Sequence, residues 1–230
     1  MNPNEETKTT FSGTWDHPAA ERLRDAWFAA IAMDYKISEA VRTMQGMSGK
    51  KFRYLLNRLV EYTPDSRYLE IGSWAGSTAC SAMYGNKSAI TCIENWEHFG
   101  GPRDAFMRNI QACTNSDITT NLIENDFRKV DYKDIGKYNI YMYDGPHALE
   151  DQYDGIIIAQ PALDDVYTLI VDDWNQVNDV QAGTHKALEE LGHKIICSIE
   201  IITASDARIS ISHERSDWHN GYFLAVVSKE

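Results

Sequence analysis

The stretch "YLEIGSWAGST", residues 68–78, decides how the rest of the chain is read. An apolar run suited to a buried strand stops at Gly72, where the chain can turn sharply. Gly76 then lets a following helix approach closely enough for its first backbone N–H groups to face a ligand. The glycines are spaced G-x-x-x-G, which differs from the G-x-G-x-x-G of dinucleotide binders. Outward from this turn the same alternation continues. Strand-like runs recur at "RYLEIG" (67–72), "AITCIE" (89–94), "ITTNLIE" (118–124), "YNIYMYD" (138–144) and "VYTLIVDD" (166–173), with helices expected between them. Regular alternation of this kind predicts an α/β fold, a parallel sheet covered by helices on both faces. After a helix expected around Asp179–Leu191, the runs "KIICSIEII" (194–202) and "YFLAVV" (222–227) predict an antiparallel pair, with Asn220-Gly221 favouring a reversal between them.

Upstream, "AAERLRDAWFAAIAMDY" (19–35) and "GKKFRYLLNRLVEY" (49–62) carry apolar residues at helical spacing. The expected organisation is a flexible tail over 1–16, a helical lead or cap over 17–62, and one α/β domain over 63–230. The helical lead can either cover a pocket or form a homo-oligomer surface.

Bulk properties narrow the function classes. The 230 residues suit one α/β domain, and 43% hydrophobic content is ordinary for a folded protein. A net charge of −12, with no cluster of Lys and Arg, argues against a nucleic-acid partner, which needs a basic footprint. No apolar run is long enough to span a bilayer, and the polar N-terminus lacks the apolar core of a secretion signal. Cys80, Cys92, Cys113 and Cys197 show no metal-finger or CxxC spacing, and read as reduced thiols of a cytoplasmic protein.

Ligands of open parallel sheets bind beyond the carboxyl ends of the strands. The strand after the glycine turn ends in Glu94, which can accept both hydroxyls of a ribose or stand as a solvated strand-end carboxylate. The next ends in Asp126-Phe127, where Asp126 can accept from an adenine amino group and Phe127 can pack on the ring; an Asp in a polar turn also needs no ligand. Then come Asp144 and His147 in "YMYDGPH", and Asp172-Asp173 in "LIVDDW". Adjacent like charges repel unless a cation, a proton or water relieves them. Three carboxylates converging from neighbouring strand ends suit a hard divalent ion, Mg²⁺ first, with Mn²⁺ or Ca²⁺ as alternatives. Each also has a plainer reading, Asp144 as a turn former and Asp172 or Asp173 as a helix N-cap. His147 is either a base near neutrality or a hydrogen-bond partner of a carboxylate. Trp174 is either an aromatic wall or core, and "HERSDWHN" (213–220) is either a loop over the site or an exposed turn, with the exposed turn expected.

Taken together, "LEIGSWAGST", "IENW" and "ND" in this order resemble the S-adenosylmethionine-dependent class I methyltransferases, from roughly Gly46 to the C-terminus. The resemblance implies a Rossmann-like domain, a mainly parallel seven-stranded sheet with an antiparallel last strand and helices on both faces. It implies S-adenosylmethionine as cofactor, with Gly72 and Gly76 at its methionine portion, Glu94 at the ribose and Asp126 at the adenine end. Glu70, Ser73, Ser77, Thr78, Phe127 and Asp144 complete the expected cofactor site. The D-G-x-H followed by a D-D-W strand end resembles the metal-dependent O-methyltransferase branch that includes the macrocin and mycinamicin sugar O-methyltransferases. "MQGMSGKKFRYLL" is similar to the lead-in of that branch, whereas "ALDDVYTLIVDDW" lacks its usual Gly-Gly turn. The implied ligands of Mg²⁺ are Asp144, Asp172 and Asp173, with His147 as base and a small-molecule hydroxylated acceptor such as a sugar, polyol, catechol or glycosylated natural product. Two other readings use the same features. A nicotinamide oxidoreductase would want the other glycine spacing or a Tyr-x-x-x-Lys pair, which this chain lacks, and a module that binds cofactor or metal without turnover would not need His147.

Overall fold

The structure is a computed structural model that describes residues 7–204 and 216–230. Eight strands form one sheet in the order β1-β7-β8-β6-β5-β2-β3-β4. They are β1 (Lys8–Gly13), β2 (Arg67–Ile71), β3 (Ser88–Ile93), β4 (Ile118–Ile123), β5 (Tyr138–Tyr143), β6 (Leu163–Asp172), β7 (Lys194–Ile202) and β8 (Tyr222–Ser228). Strands β2 to β6 are mutually parallel, and β8 runs antiparallel to both β6 and β7. All seven strands expected from the sequence are present, including the antiparallel final pair.

The sheet has eight strands rather than the expected seven. The addition is β1, which lies inside the stretch expected as a flexible tail and pairs antiparallel with β7, Phe11 opposite Ile199. Its residues are largely exposed, so they carry no alternating apolar signal; the unpaired backbone of β7 recruits them.

Helices cover both faces. On one side lie α1 (Pro18–Ile31), the short α2 (Glu39–Arg42), α3 (Lys50–Tyr62), α4 (Ser77–Met83) and α5 (Arg103–Cys113), packed through Leu23, Phe52, Leu56, Ala79 and Phe106. On the other lie α6 (Leu149–Ile158) and α7 (Ala182–Glu190), packed through Ile156, Ala187 and Leu188. Residues alternate along β6, with Ile170 toward the first cluster and Leu169 and Val171 toward the second, the period of a strand buried on both faces. Pro18 and the His17 ring, whose Nδ1 accepts from Ala19 N–H, start α1. The N-terminus of α3 has no side-chain cap; Lys51 and Phe52 N–H instead donate to the Asp217 carbonyl, which ties the helical lead to the segment before β8.

Where a Gly-Gly turn was missing before β6, a one-turn 3-10 helix, Gln160–Ala162, leads into the strand, and the β5–β6 register shifts between Tyr138 and Ile140. Among the described residues, no helix is long and apolar enough to cross a membrane. All four cysteines are buried and free.

Candidate active site

Strand order reverses between β2 and β5, and a cavity of about 960 Å³ opens beyond their carboxyl ends, where a switch point of an α/β sheet places ligands. Gly72 sits at the floor of this crevice. Its N–H donates to the Ile93 carbonyl of β3, while the Asp144 N–H beyond β5 donates to the Ile71 carbonyl. Gly72 has φ +88°, and a Cβ there would lie 1.9 Å from the Asp144 carbonyl oxygen, so only glycine lets the two strand ends come together. Gly76 caps α4 in the left-handed region.

Of the cofactor residues expected from sequence, Gly72, Glu94, Asp126, Phe127 and Asp144 line the cavity. Glu70, Ser73, Gly76, Ser77 and Thr78 are outside the lining and support the turn from behind. Glu70 is fully buried and accepts from Tyr68 Oη at 2.5 Å and Thr78 Oγ1 at 2.6 Å. Burial raises its carboxyl to about 7 against the downward pull of Thr78 and Tyr68. A raised folded value means that Glu70 adds stability below its ordinary 4.5 and that this is lost as pH rises through about 7. Urea unfolding of wild type against Glu70→Gln should therefore show the wild type losing stability relative to the variant between those two pH values. A constant difference would place the Glu70 titration elsewhere.

Glu94 is already engaged: Oε2 accepts from Trp74 N–H at 2.8 Å, and Oε1 accepts from the N–H groups of Asn95 and Trp96 at 2.8 and 2.7 Å. It clasps the β2 turn to the loop after β3. The clasp is doubled by the Trp74 indole, which donates to the Phe99 carbonyl, and the Trp96 indole, which donates to Trp74. Asp126 caps the next 3-10 turn by accepting from Arg128 N–H, as its plainer reading anticipated. Phe127 is buried beneath it, edge-on to Tyr143 and covered by the Arg128 guanidinium.

The carboxylates meet one strand over. His147 Nε2 lies 2.9 Å from Asp173 Oδ2 and 4.0 Å from Asp144 Oδ1. Asn220 Nδ2 donates to Asp173 Oδ1 at 2.5 Å. Asp144, His147 and Asp173 each present a ligand atom within 4.8 Å of the others. Asp172, expected as the third ligand, lines the same cavity but is not among the three side chains that converge within 4.8 Å. It continues the β6 alternation and its Oδ1 accepts from Asp173 N–H at 2.7 Å, while the chain turns through φ +56° at Asp173 and so swings that side chain toward His147.

Electrostatics follow from this crowding. Burial and then the Asp144 and Asp173 charges push Asp172 well above the ordinary carboxylate range, and burial lifts Asp144 to about 6. Burial opposes charge on His147, but the two neighbouring carboxylates outweigh it and raise the ring to about 11. Burial likewise opposes charge on Asp173, yet His147 and Asn220 hold it below its ordinary value. Three carboxylates share one imidazolium.

One expectation changes here, and one open alternative is decided. The described part of "HERSDWHN", from Ser216 onward, is not an exposed turn: Ser216, Trp218 and His219 are buried, and His219 and Asn220 line the cavity. Residues 213–215 lie outside the described residues. Trp218 stacks on Trp27 of α1, which draws this segment inward and anchors it to the helical lead. Trp174 is core, fully buried and stacked on Phe223, with no place in the cavity wall. Sequence reasoning also missed Met47, Asn175 and Gln176 in the lining. Asn220 was readable only as turn chemistry, since nothing local distinguishes a turn amide from one aimed at a carboxylate.

Residues 69–174 match the family model described as a methyltransferase domain. No curated protein matches the sequence. Among solved structures, TrmN from Thermus thermophilus is 15% identical with a TM-score of 0.56, covering 83% of this chain and 52% of that one. The O-methyltransferase from Bacillus cereus in complex with SAH is 13% identical with a TM-score of 0.53, covering 90% and 91%. The O-methyltransferase TomG from Streptomyces achromogenes, involved in tomaymycin synthesis and in complex with SAM, is 16% identical with a TM-score of 0.51, covering 90% of each. The chain spans about half the length of the first of these. At such identities the likeness establishes the fold.

Proposed function

We propose that this chain is a class I, S-adenosylmethionine-dependent methyltransferase that transfers a methyl group to a hydroxyl of a small molecule held at a divalent cation, a reading supported by the match of residues 69–174 to a methyltransferase-domain model. The observation that carries the reading is the convergence of Asp144, His147 and Asp173 in the same cavity as the β2 turn. The donor set fits a divalent ion: oxygen ligands predominate, and the crowding that raises Asp172 and Asp144 is what a cation among these carboxyl groups would relieve. Asp144 and Asp173 would hold Mg²⁺, with Mn²⁺ or Ca²⁺ as alternatives and Asp172 beside them in the cavity lining. A divalent ion in that position would lower the pKa of a bound hydroxyl and fix its direction toward the methyl donor.

The chain's own residues do the rest. Gly72 keeps the floor of the crevice open for the methionine portion of the donor, and Glu94 retains an open lone pair on Oε2 for a ribose hydroxyl. Asp126 and Phe127 border the adenine end. His147 Nε2 holds a proton between two carboxylates; with those carboxylates committed to a cation the ring would lose the charges that raise it and release this proton to solvent, leaving Nε2 to accept the hydroxyl proton. Asn220 fixes the Asp173 carboxylate, and the Gln176 amide borders the acceptor beside His147, while the Asn175 amide is tied at both ends to Thr203.

The acceptor is proposed to be a hydroxylated small molecule, such as a sugar, polyol or catechol. Acidic residues dominate the cavity lining, and a polyanion such as nucleic acid would meet repulsion there. Radiolabelled methyl transfer from S-adenosylmethionine to a panel of vicinal diols and catechols, with Mg²⁺ and with chelator, tests the proposal. Transfer that requires Mg²⁺ is expected; transfer that is equal in chelator would remove the ion from the reaction.

A further inference from the structure

Arg53 of α3 is 2% exposed, and among the described residues no carboxylate is hydrogen-bonded to it. A buried guanidinium is tolerated only when its donors are satisfied. Here Nη1 donates to the carbonyls of Val41, Arg42 and Met44 at 3.1, 3.2 and 2.8 Å, Nη2 to Gly46 at 3.4 Å, and Nε to Ser48 Oγ at 2.9 Å. These five acceptors fall within an eight-residue span, so residues 41–48 are wrapped around one side chain. The wrapped segment is wedged between the two halves of the site. A Cβ at Gly46 would lie 1.9 Å from Ser77 Oγ of the cofactor-turn helix, and Ser48 Oγ is 3.4 Å from Ser77 Oγ. A Cβ at Gly49 would meet the Asp217 carbonyl at 2.1 Å, three residues before the Asn220 that binds Asp173. Between these two contacts Met47 enters the cavity wall.

We propose that Arg53 is a positioning residue for methyl transfer: by gathering the carbonyls of residues 41–46 it presses segment 44–48 against the turn helix and sets Met47 as a wall of the cavity. This rests on the S-adenosylmethionine reading above. Arg53 touches no part of the cavity itself, so its effect passes through the segment it shapes.

The test uses S-adenosylhomocysteine as probe, with isothermal titration on the full chain. Arg53→Met should weaken binding tenfold or more, with Arg53→Lys recovering part of it, and hydrogen exchange at amides 44–48 should accelerate. Gly46→Ala displaces the same segment while keeping the guanidinium, its added Cβ 1.9 Å from Ser77 Oγ and 3.2 Å from Arg53 Nη2, and should weaken binding similarly even if Arg53→Met does not fold. Asn57→Ala is the control, because Asn57 lies on the same helix but bonds the Ser81 and Tyr84 carbonyls at the far end of α4. It should lower Tm and leave the affinity unchanged. Wild-type affinity in folded Arg53→Met or in Gly46→Ala, or an equal loss in Asn57→Ala, would overturn the positioning role. A wild-type chain that binds no S-adenosylhomocysteine would instead remove the cofactor reading, and the inference with it.

Discussion

Replacing Asp173 by alanine is expected to reduce Mg²⁺-dependent methyl transfer by about 10²–10³-fold or more while changing S-adenosylhomocysteine affinity little, the scale seen when a preorganised electrostatic group is removed from an active site. Asp173 is the residue on which the cluster is organised: it is 6% exposed, faces His147 on one oxygen and Asn220 on the other, and reaches them because the chain turns left-handed at its own position. Its removal takes away one of two carboxylates able to hold a cation and frees both partners. Folding should suffer less than activity, since the imidazole can shed its proton once the charge that held it is gone. Asp172→Ala should be milder than Asp173→Ala in metal affinity, because Asp172 is not among the three side chains that converge. Metal titration of both variants measures the difference; equal loss in the two would return Asp172 to the first set of ligands, and full activity in Asp173→Ala would remove the metal assignment.

Gly72→Ala should be the most damaging single-methyl change in the chain. The added carbon would sit 1.9 Å from the Asp144 carbonyl oxygen, at a backbone φ of +88°. Neither atom has room to yield: the Asp144 N–H is bonded to Ile71 and the Gly72 N–H to Ile93, so relief requires parting β2 from β5 or β3. Left-handed strain alone costs about 1–3 kcal/mol, and with the clash a loss of about 4 kcal/mol or more is expected, which in a chain of this size lowers Tm by about 10 °C. Both functions should fail together, because the same contact holds the cofactor turn and the start of the metal cluster. Thermal melting and S-adenosylhomocysteine titration at low temperature check this. A Gly72→Ala chain that melts like wild type and binds normally would mean that the strand ends separate easily and the crevice is not built by their contact.

Much of this architecture could be read from the residues because burial on both faces leaves a local imprint. The seven apolar runs from "RYLEIG" to "YFLAVV" each became a strand, and their punctuating acids marked the carboxyl ends where the cavity opens. Strand β1 escaped for the opposite reason: an exposed edge strand held by backbone hydrogen bonds needs no apolar alternation. At the site, Asp144, His147 and Asp173 were readable from their strand ends. Which of the adjacent Asp172 and Asp173 meets His147 was not, since it is set by the left-handed backbone at Asp173. The roles of Asn220 and Met47 depend on contacts spanning most of the chain, Trp27 against Trp218 and Gly49 against Asp217, which no local pattern records.

The central claim is that one cavity holds the methyl donor and a divalent ion side by side. A crystal structure of the chain with S-adenosylhomocysteine and Mn²⁺, with anomalous scattering measured at the manganese edge, tests it most directly. The account predicts one anomalous peak within bonding distance of the Asp144 and Asp173 carboxylates, with the nucleoside lying over Gly72 and reaching Glu94. Nucleoside density in that place with no anomalous peak at the two carboxylates would contradict it, and would leave His147 as the only cation of the cluster.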